Sequence, residues 1–151
     1  MEVYHLGRTK FADQLSGEGA KLHGGRWNRI GQPCIYASET KALCILEYAA
    51  NVSLDQIPLS LSITVYFIPE NSWKQFNENE LPKNWNVVPV TSEVKDWGNA
   101  HLQENKFLAL KLPSVIIPTE YNFIINPLHP DFKKVKIKNI HSFTFDNRIK
   151  K

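Results

Sequence analysis

The segment Ser60–Phe67, "SLSITVYF", alternates without a break. Leu61, Ile63, Val65 and Phe67 project one way and Ser60, Ser62, Thr64 and Tyr66 the other, because successive side chains of a strand point to opposite faces. A chain that carries such a segment builds a sheet around it, with one apolar face to cover and one wetter face. Shorter extended stretches lie on both sides: Val3 to Leu6, Cys34 to Ala37, "FLALKL" before Pro113, "VII" after Ser114, and "VKIKNI" and "HSFTF" near the end. Asn122 to Asn126 is apolar inside a polar frame, and "PLHPDF" after it reads as a turn. The clearest helix is Glu39 to Asn51. Its Ala42, Ile45, Leu46 and Ala49 recur at helical spacing, Leu43 and Ala50 widen the stripe, and Ser38 stands where a cap belongs. A second helix is expected from Glu93 to about Asn105, after Ser92. Between Pro69 and Ser92 the chain is turn-rich, with Trp73, Phe76 and Trp85 as its anchors. Strands interrupted by two helices predict an α+β fold, a single compact domain over residues 1–151 with a mixed, mostly antiparallel β core.

A chain of 151 residues can bury a core of its own. It has no apolar run long enough to span a membrane and no charged-then-apolar leader at its start. Cys34 and Cys44 are read as small buried thiols in a cytoplasmic protein. The histidines are scattered without zinc-ligand spacing, so no metal is expected. Residues 131–151 hold seven Lys or Arg against two Asp, while the remainder is slightly acidic. That basic end fits an acidic partner, or an edge strand kept soluble by lysines.

Five of the seven glycines fall between Ser16 and Ser38. This stretch is loop-like, and "GGRWN" within it is a candidate ligand loop. Gly24 and Gly25 permit close approach, and the Arg26 guanidinium suits phosphate or carboxylate. The alternative is an arginine pinned to an acidic side chain, with Trp27 as the anchor. The stretch is neither a phosphate-binding P-loop nor a dinucleotide fingerprint. Tyr36 follows in a short strand, either packed or offered to a ligand. Glu47 sits inside the strong helix between Leu43 and Ala50, so its carboxylate is paired, protonated or functional, or reaches solvent at a rim. His5, Ser114 after Pro113, and Asn126 before Pro127 complete the candidates.

"SGEGAKLHGGRWNRIGQPCIYASETKALCILE" resembles the core motif of the RES-domain family, named for its arginine, glutamate and serine. "LPSVIIPTEYNFIINPLHPDF" resembles the C-terminal motif of the same family. The resemblance assigns the arginine to Arg26, the strand tyrosine to Tyr36, the helical glutamate to Glu47, the serine to Ser114 and the late asparagine to Asn126. Where the family usually has an arginine after the first-strand aromatic, this chain has His5, the residue type that diphtheria-toxin-like ADP-ribosyltransferases use to hold their dinucleotide. The resemblance implies a fold related to theirs. It also implies a toxin of a type II toxin–antitoxin pair that cleaves NAD+ at the nicotinamide–ribosyl bond, by hydrolysis or phosphorolysis. Glu47, Arg26 and Tyr36 would be catalytic, and His5, Arg26, Tyr36, Ser114 and Asn126 would bind the NAD+. The implied partner is an Xre-type helix-turn-helix antitoxin that carries the DNA binding. Homo-oligomerisation is left open. Transfer of ADP-ribose to a macromolecule is the first alternative, and a non-enzymatic protein-binding module the second.

Overall fold

The computed structural model describes residues 1–149. Its strands are β1 (Glu2–Arg8), β2 (Ile35–Ser38), β3 (Leu61–Phe67), β4 (Trp73–Gln75), β5 (Ala109–Pro113), β6 (Tyr121–Ile125) and β7 (Lys136–Phe143). Its α-helices are α1 (Glu18–His23), α2 (Lys41–Asn51) and α3 (Ser92–Glu104). The strands form one sheet in the order β4-β5-β6-β2-β1-β3-β7. Only β4 and β5 run parallel; every other neighbouring pair is antiparallel. The α+β class and the mostly antiparallel sheet agree with the sequence.

Both faces of the inner strands of the sheet are buried. One carries Val3, Ile35, Ala37, Phe123 and Ile125, packed with Ile68, Leu108 and Val135. The other carries Cys34, Leu110, Leu112 and Ile124 beneath Trp27 and the α3 residues Val94 and Leu102. On that same face Leu6, Leu61 and Ile63 meet Cys44 of α2. The alternation of β3 is present, but its polar face is not wet: Leu61 to Tyr66 are all buried. The chain after β1 covers that face. Thr9 Oγ1 lies 2.9 Å from Ser62 Oγ, and Thr64 Oγ1 donates to the Ala12 carbonyl at 2.8 Å. These partners replace water, so burial leaves no polar group unsatisfied there.

Several local expectations change. "VII" is not a strand but a bend, because its amides turn back on Ser114. "VKIKNI" and "HSFTF" merge into the single edge strand β7, with a bulge in the partner ladder between Val65 and Tyr66. The glycine-rich stretch contains α1. The cap of α2 is Thr40, whose Oγ1 accepts from the Leu43 amide at 3.1 Å, and Ser38 ends β2 instead. The buried stripe of α2 is turned relative to the expected one. Leu43, Cys44 and Ala49 are buried, whereas Ala42, Leu46 and Ala50 face outward. Residues 43, 44 and 47 share a helix face, so this turn swings Glu47 toward the sheet.

The central seam is the feature that shapes the site. β1 pairs with β3 over seven residues, but with β2 only at Tyr4 and Ser38. The β1–β2 ladder therefore lapses beyond that pair, toward Tyr36 and the start of β2.

Candidate functional site

Glu47 reaches from α2 toward the sheet. Its Oε1 accepts two short hydrogen bonds, from Ser114 Oγ and from Asn122 Nδ2, each 2.7 Å. Ser114 lies just past β5 and is fully buried. Its hydroxyl oxygen also accepts from the amides of Ile116 and Ile117, at 3.0 and 3.2 Å. The residues after Pro113 thus wrap the serine and aim its proton at the carboxylate. With one donor and two acceptor contacts, the Ser114 hydroxyl holds Glu47 in place. Asn122 is oriented in turn by Ser38, whose Oγ donates to Asn122 Oδ1 at 2.6 Å. The two face each other because β2 and β6 pair Ser38 with Asn122.

Asn122 and Ser38 were missed in the sequence. The sequence reads Asn122 only as part of the polar frame of an apolar stretch, and Ser38 as a helix cap. Only the cross-strand register brings them together.

The "GGRWN" loop forms the second wall. Gly25 and Asn28 make a small β-bridge. Asn28 is fully buried and donates through Nδ2 to the carbonyls of Ala20, Arg29 and Gln32, at 2.9–3.2 Å. The Tyr36 hydroxyl donates to Asn28 Oδ1 at 2.6 Å and accepts from the Trp27 amide at 3.0 Å. A Cβ on Gly25 would stand 2.6 Å from that hydroxyl, so only glycine lets the loop sit on the tyrosine. Burial pushes the phenol of Tyr36 well above its ordinary value. The hydroxyl therefore serves the loop, and the ring is what remains for a ligand.

Arg26 is half-buried at the loop tip. Its Nη1 donates to the carbonyls of Trp85 and Val87, at 3.0 and 2.9 Å. Burial lowers its pKa, while the charge of Glu47 and then that of Tyr36 act in the opposite direction. Arg26 and Glu47 thus sense each other without forming an ion pair among the described residues. The rest of the guanidinium carries no protein partner there, which leaves a fixed, partly desolvated cation beside the carboxylate. α3 backs the loop: the Arg29 amide donates to Asn99 Oδ1 at 2.9 Å, and Arg29 Nε pairs with Asp96 at 2.7 Å.

His5 stands where the β1–β2 ladder lapses. Its Nδ1 lies 2.7 Å from the carbonyl oxygen of Tyr36. Burial lowers its pKa, opposed by that hydrogen bond. A neutral imidazole donating through Nδ1 keeps Nε2 as an acceptor.

Asn126 is not part of this cluster. It lies four residues along the chain from Asn122, about 13 Å away at the rise of a strand. Its Nδ2 donates to the Leu102 carbonyl and Asn105 Oδ1, at 2.9 and 2.6 Å, and its Oδ1 accepts from Leu128 at 3.0 Å. It ties the end of α3 to the turn after β6.

Burial pushes the thiols of Cys34 and Cys44 up to about 12, which makes both poor nucleophiles. Among the described residues no group of three His, Cys, Asp or Glu gathers as a metal site. Among the described residues no helix is long and apolar enough to cross a membrane.

A half-buried, doubly hydrogen-bonded glutamate near an arginine-bearing glycine loop defines an enzyme of the RES type. The RES domain family matches residues 2–146, and the chain belongs to that family. It is 34% identical to the Prs ADP-ribosylating toxin of Sphingobium sp. (strain YBL2), over 94% of this chain and 90% of that protein. It is 33% identical to Toxin Res of Photorhabdus laumondii, over 100% and 98%. Its fold resembles a chain in the crystal structure of the M. tuberculosis MbcT–MbcA toxin–antitoxin complex. There the TM-score is 0.75 at 17% identity, over 95% of this chain and 84% of that one.

Proposed function

We propose that this chain is the toxin of a toxin–antitoxin pair and acts on NAD+. The observation that carries the reading is the Glu47 carboxylate, fixed by Ser114 and Asn122 and set opposite Arg26. The bond between the ribose C1′ and the nicotinamide nitrogen breaks, and its electron pair leaves with neutral nicotinamide. Positive charge builds on the ribose, and the nearby carboxylate stabilises it. An acceptor oxygen then bonds to C1′ and releases its proton. Arg26 holds the pyrophosphate through its free edge. The Tyr36 ring supports the nicotinamide ribose, and His5 Nε2 accepts from a ligand hydroxyl.

Several further features belong to the same reading. Residues 1–151 act as one domain whose fold is related to the ADP-ribosyltransferases. The protein works in the cytoplasm. Its cognate antitoxin, of the Xre helix-turn-helix type, covers the site and carries the operator binding. Support for the pairing comes from the likeness to a chain of a toxin–antitoxin complex.

The test is release of nicotinamide from NAD+ by purified protein, with and without phosphate. Wild type should release it and Glu47→Gln should not; equal rates would end the reading. A second reading, transfer of ADP-ribose to a protein, is favoured by the relative named Prs ADP-ribosylating toxin. Labelled NAD+ separates the two. Label on protein supports transfer, and label in free ADP-ribose or its phosphorylated form supports consumption.

A further inference from the structure

We infer that Asn122, oriented by Ser38, is the positioning residue that decides which carboxylate oxygen of Glu47 faces the substrate. The inference rests on the NAD+ reading for its kinetic part and on geometry alone for the rest.

A carboxylate only accepts hydrogen bonds. Asn122 must therefore turn its NH2 toward Glu47, and its Oδ1 then points away. Ser38 stands at that oxygen and donates to it at 2.6 Å. Were the amide reversed, its oxygen would meet the carboxylate and the contact with Glu47 would be lost. The carboxylate thus selects the amide orientation, and the Ser38 hydroxyl anchors its far end, so that the NH2 is held on Glu47 Oε1 at 2.7 Å.

Ser114 delivers its proton to the same oxygen. Oε1 is thereby held from two strands, β6 and the end of β5, while Oε2 has no protein partner among the described residues. The carboxyl plane is fixed by the pair of donors on one side. The second oxygen is left with its electron density for the charge that develops on a bound ligand. Ser114 alone would set the distance of the carboxylate from the sheet but not its rotation about the Cγ–Cδ bond. Two donors from different directions set both. The chain Ser38, Asn122, Glu47 also runs from the last residue of β2, beside the point where β1 and β2 part. The geometry of that seam is thus tied to the orientation of the acid.

Three variants test this. Asn122→Ala should lower kcat for nicotinamide release about 10- to 100-fold, the loss expected when a reacting group is misplaced, with KM for NAD+ changed less than about threefold. Ser38→Ala should lower kcat by a smaller factor, and the double variant should be no slower than Asn122→Ala, because Ser38 acts only through Asn122. A rise in KM at constant kcat, or losses that multiply in the double variant, would overturn the inference. If Asn122→Ala folds poorly in a thermal melt, Asn122→Asp keeps the shape and presents an oxygen to Glu47. It should lose kcat at least as severely, and activity near wild type would overturn the idea. A readout independent of NAD+ is the side-chain NH2 resonance pair of Asn122 in nitrogen–proton spectra. It should move in both Glu47→Gln and Ser38→Ala. Unmoved resonances would sink the positioning role, whereas absent nicotinamide release with moved resonances would sink only the NAD+ reading.

Discussion

A Cβ at Gly98 would stand 2.2 Å from the carbonyl oxygen of Trp27. The helix α3 therefore lies directly on the backbone of the loop that carries Arg26. Gly98→Ala forces the two apart, and overpacking of this kind costs about 1–3 kcal/mol. The melting temperature should fall accordingly. The activity of the folded fraction should fall as well, because the displaced residue neighbours Arg26. A variant as stable and active as wild type would show that the contact is dispensable.

Tyr36→Phe removes a hydroxyl that both donates to Asn28 and accepts from Trp27. The buried Asn28 Oδ1 loses its donor, a change worth about 1–3 kcal/mol. Denaturant unfolding should show that loss. Binding of NAD+ to the folded protein should weaken through the loosened loop, measured by calorimetry.

Arg26→Lys keeps the charge but loses the guanidinium nitrogens beyond the Nη1 that bonds the Trp85 and Val87 carbonyls. A lysine held by those carbonyls has little left for a phosphate. We expect kcat/KM for NAD+ to drop about 10- to 100-fold, equivalent to about 1.4–2.8 kcal/mol of transition-state stabilisation. The melting temperature should move much less than in Tyr36→Phe.

Asn126→Ala separates structure from site. Three hydrogen bonds disappear at a fully buried position, and stability should fall by about 1–3 kcal/mol. The kcat of the folded protein should stay within about twofold of wild type. A large kcat loss would place Asn126 with the reacting groups after all.

His5 and His101 both have pKa values lowered by burial from the ordinary 6.5. The unfolded chain then binds more protons than the folded one below that pH. Their contribution is intact above pH 6.5 and is lost as pH falls toward the folded values. Urea midpoints should therefore decrease from pH 7.5 to 5.5, and less so in His5→Gln. A midpoint that rises on acidification would contradict the assignment.

Much of this arrangement was legible in the sequence. The period-two pattern of Leu61–Phe67 and the helical spacing around Glu47 are local signals, and local signals survive folding. The glycines of "GGRWN" announced a backbone approached closely, although the approaching group turned out to be the Tyr36 hydroxyl. What was hidden depends on pairing across the chain. Ser38 and Asn122 are 84 residues apart and meet only through the β2–β6 register. Ser114 reads as a turn residue until the Ile116 and Ile117 amides are seen to close on it. The rotation of α2 follows from Cys44 packing on Leu6, Leu61 and Ile63, none of which periodicity could weigh. The partners of Asn126, Leu102 and Asn105 at the end of α3, are likewise invisible from its place beside a proline turn.

The single-residue pairing of β1 with β2 leaves the Tyr36 carbonyl without a strand to answer it, and the imidazole of His5 answers instead. A side chain thus stands in for a rung of the ladder. Protonating, replacing or engaging that ring alters how the two halves of the sheet are stitched, so whatever binds in the cleft also handles its seam.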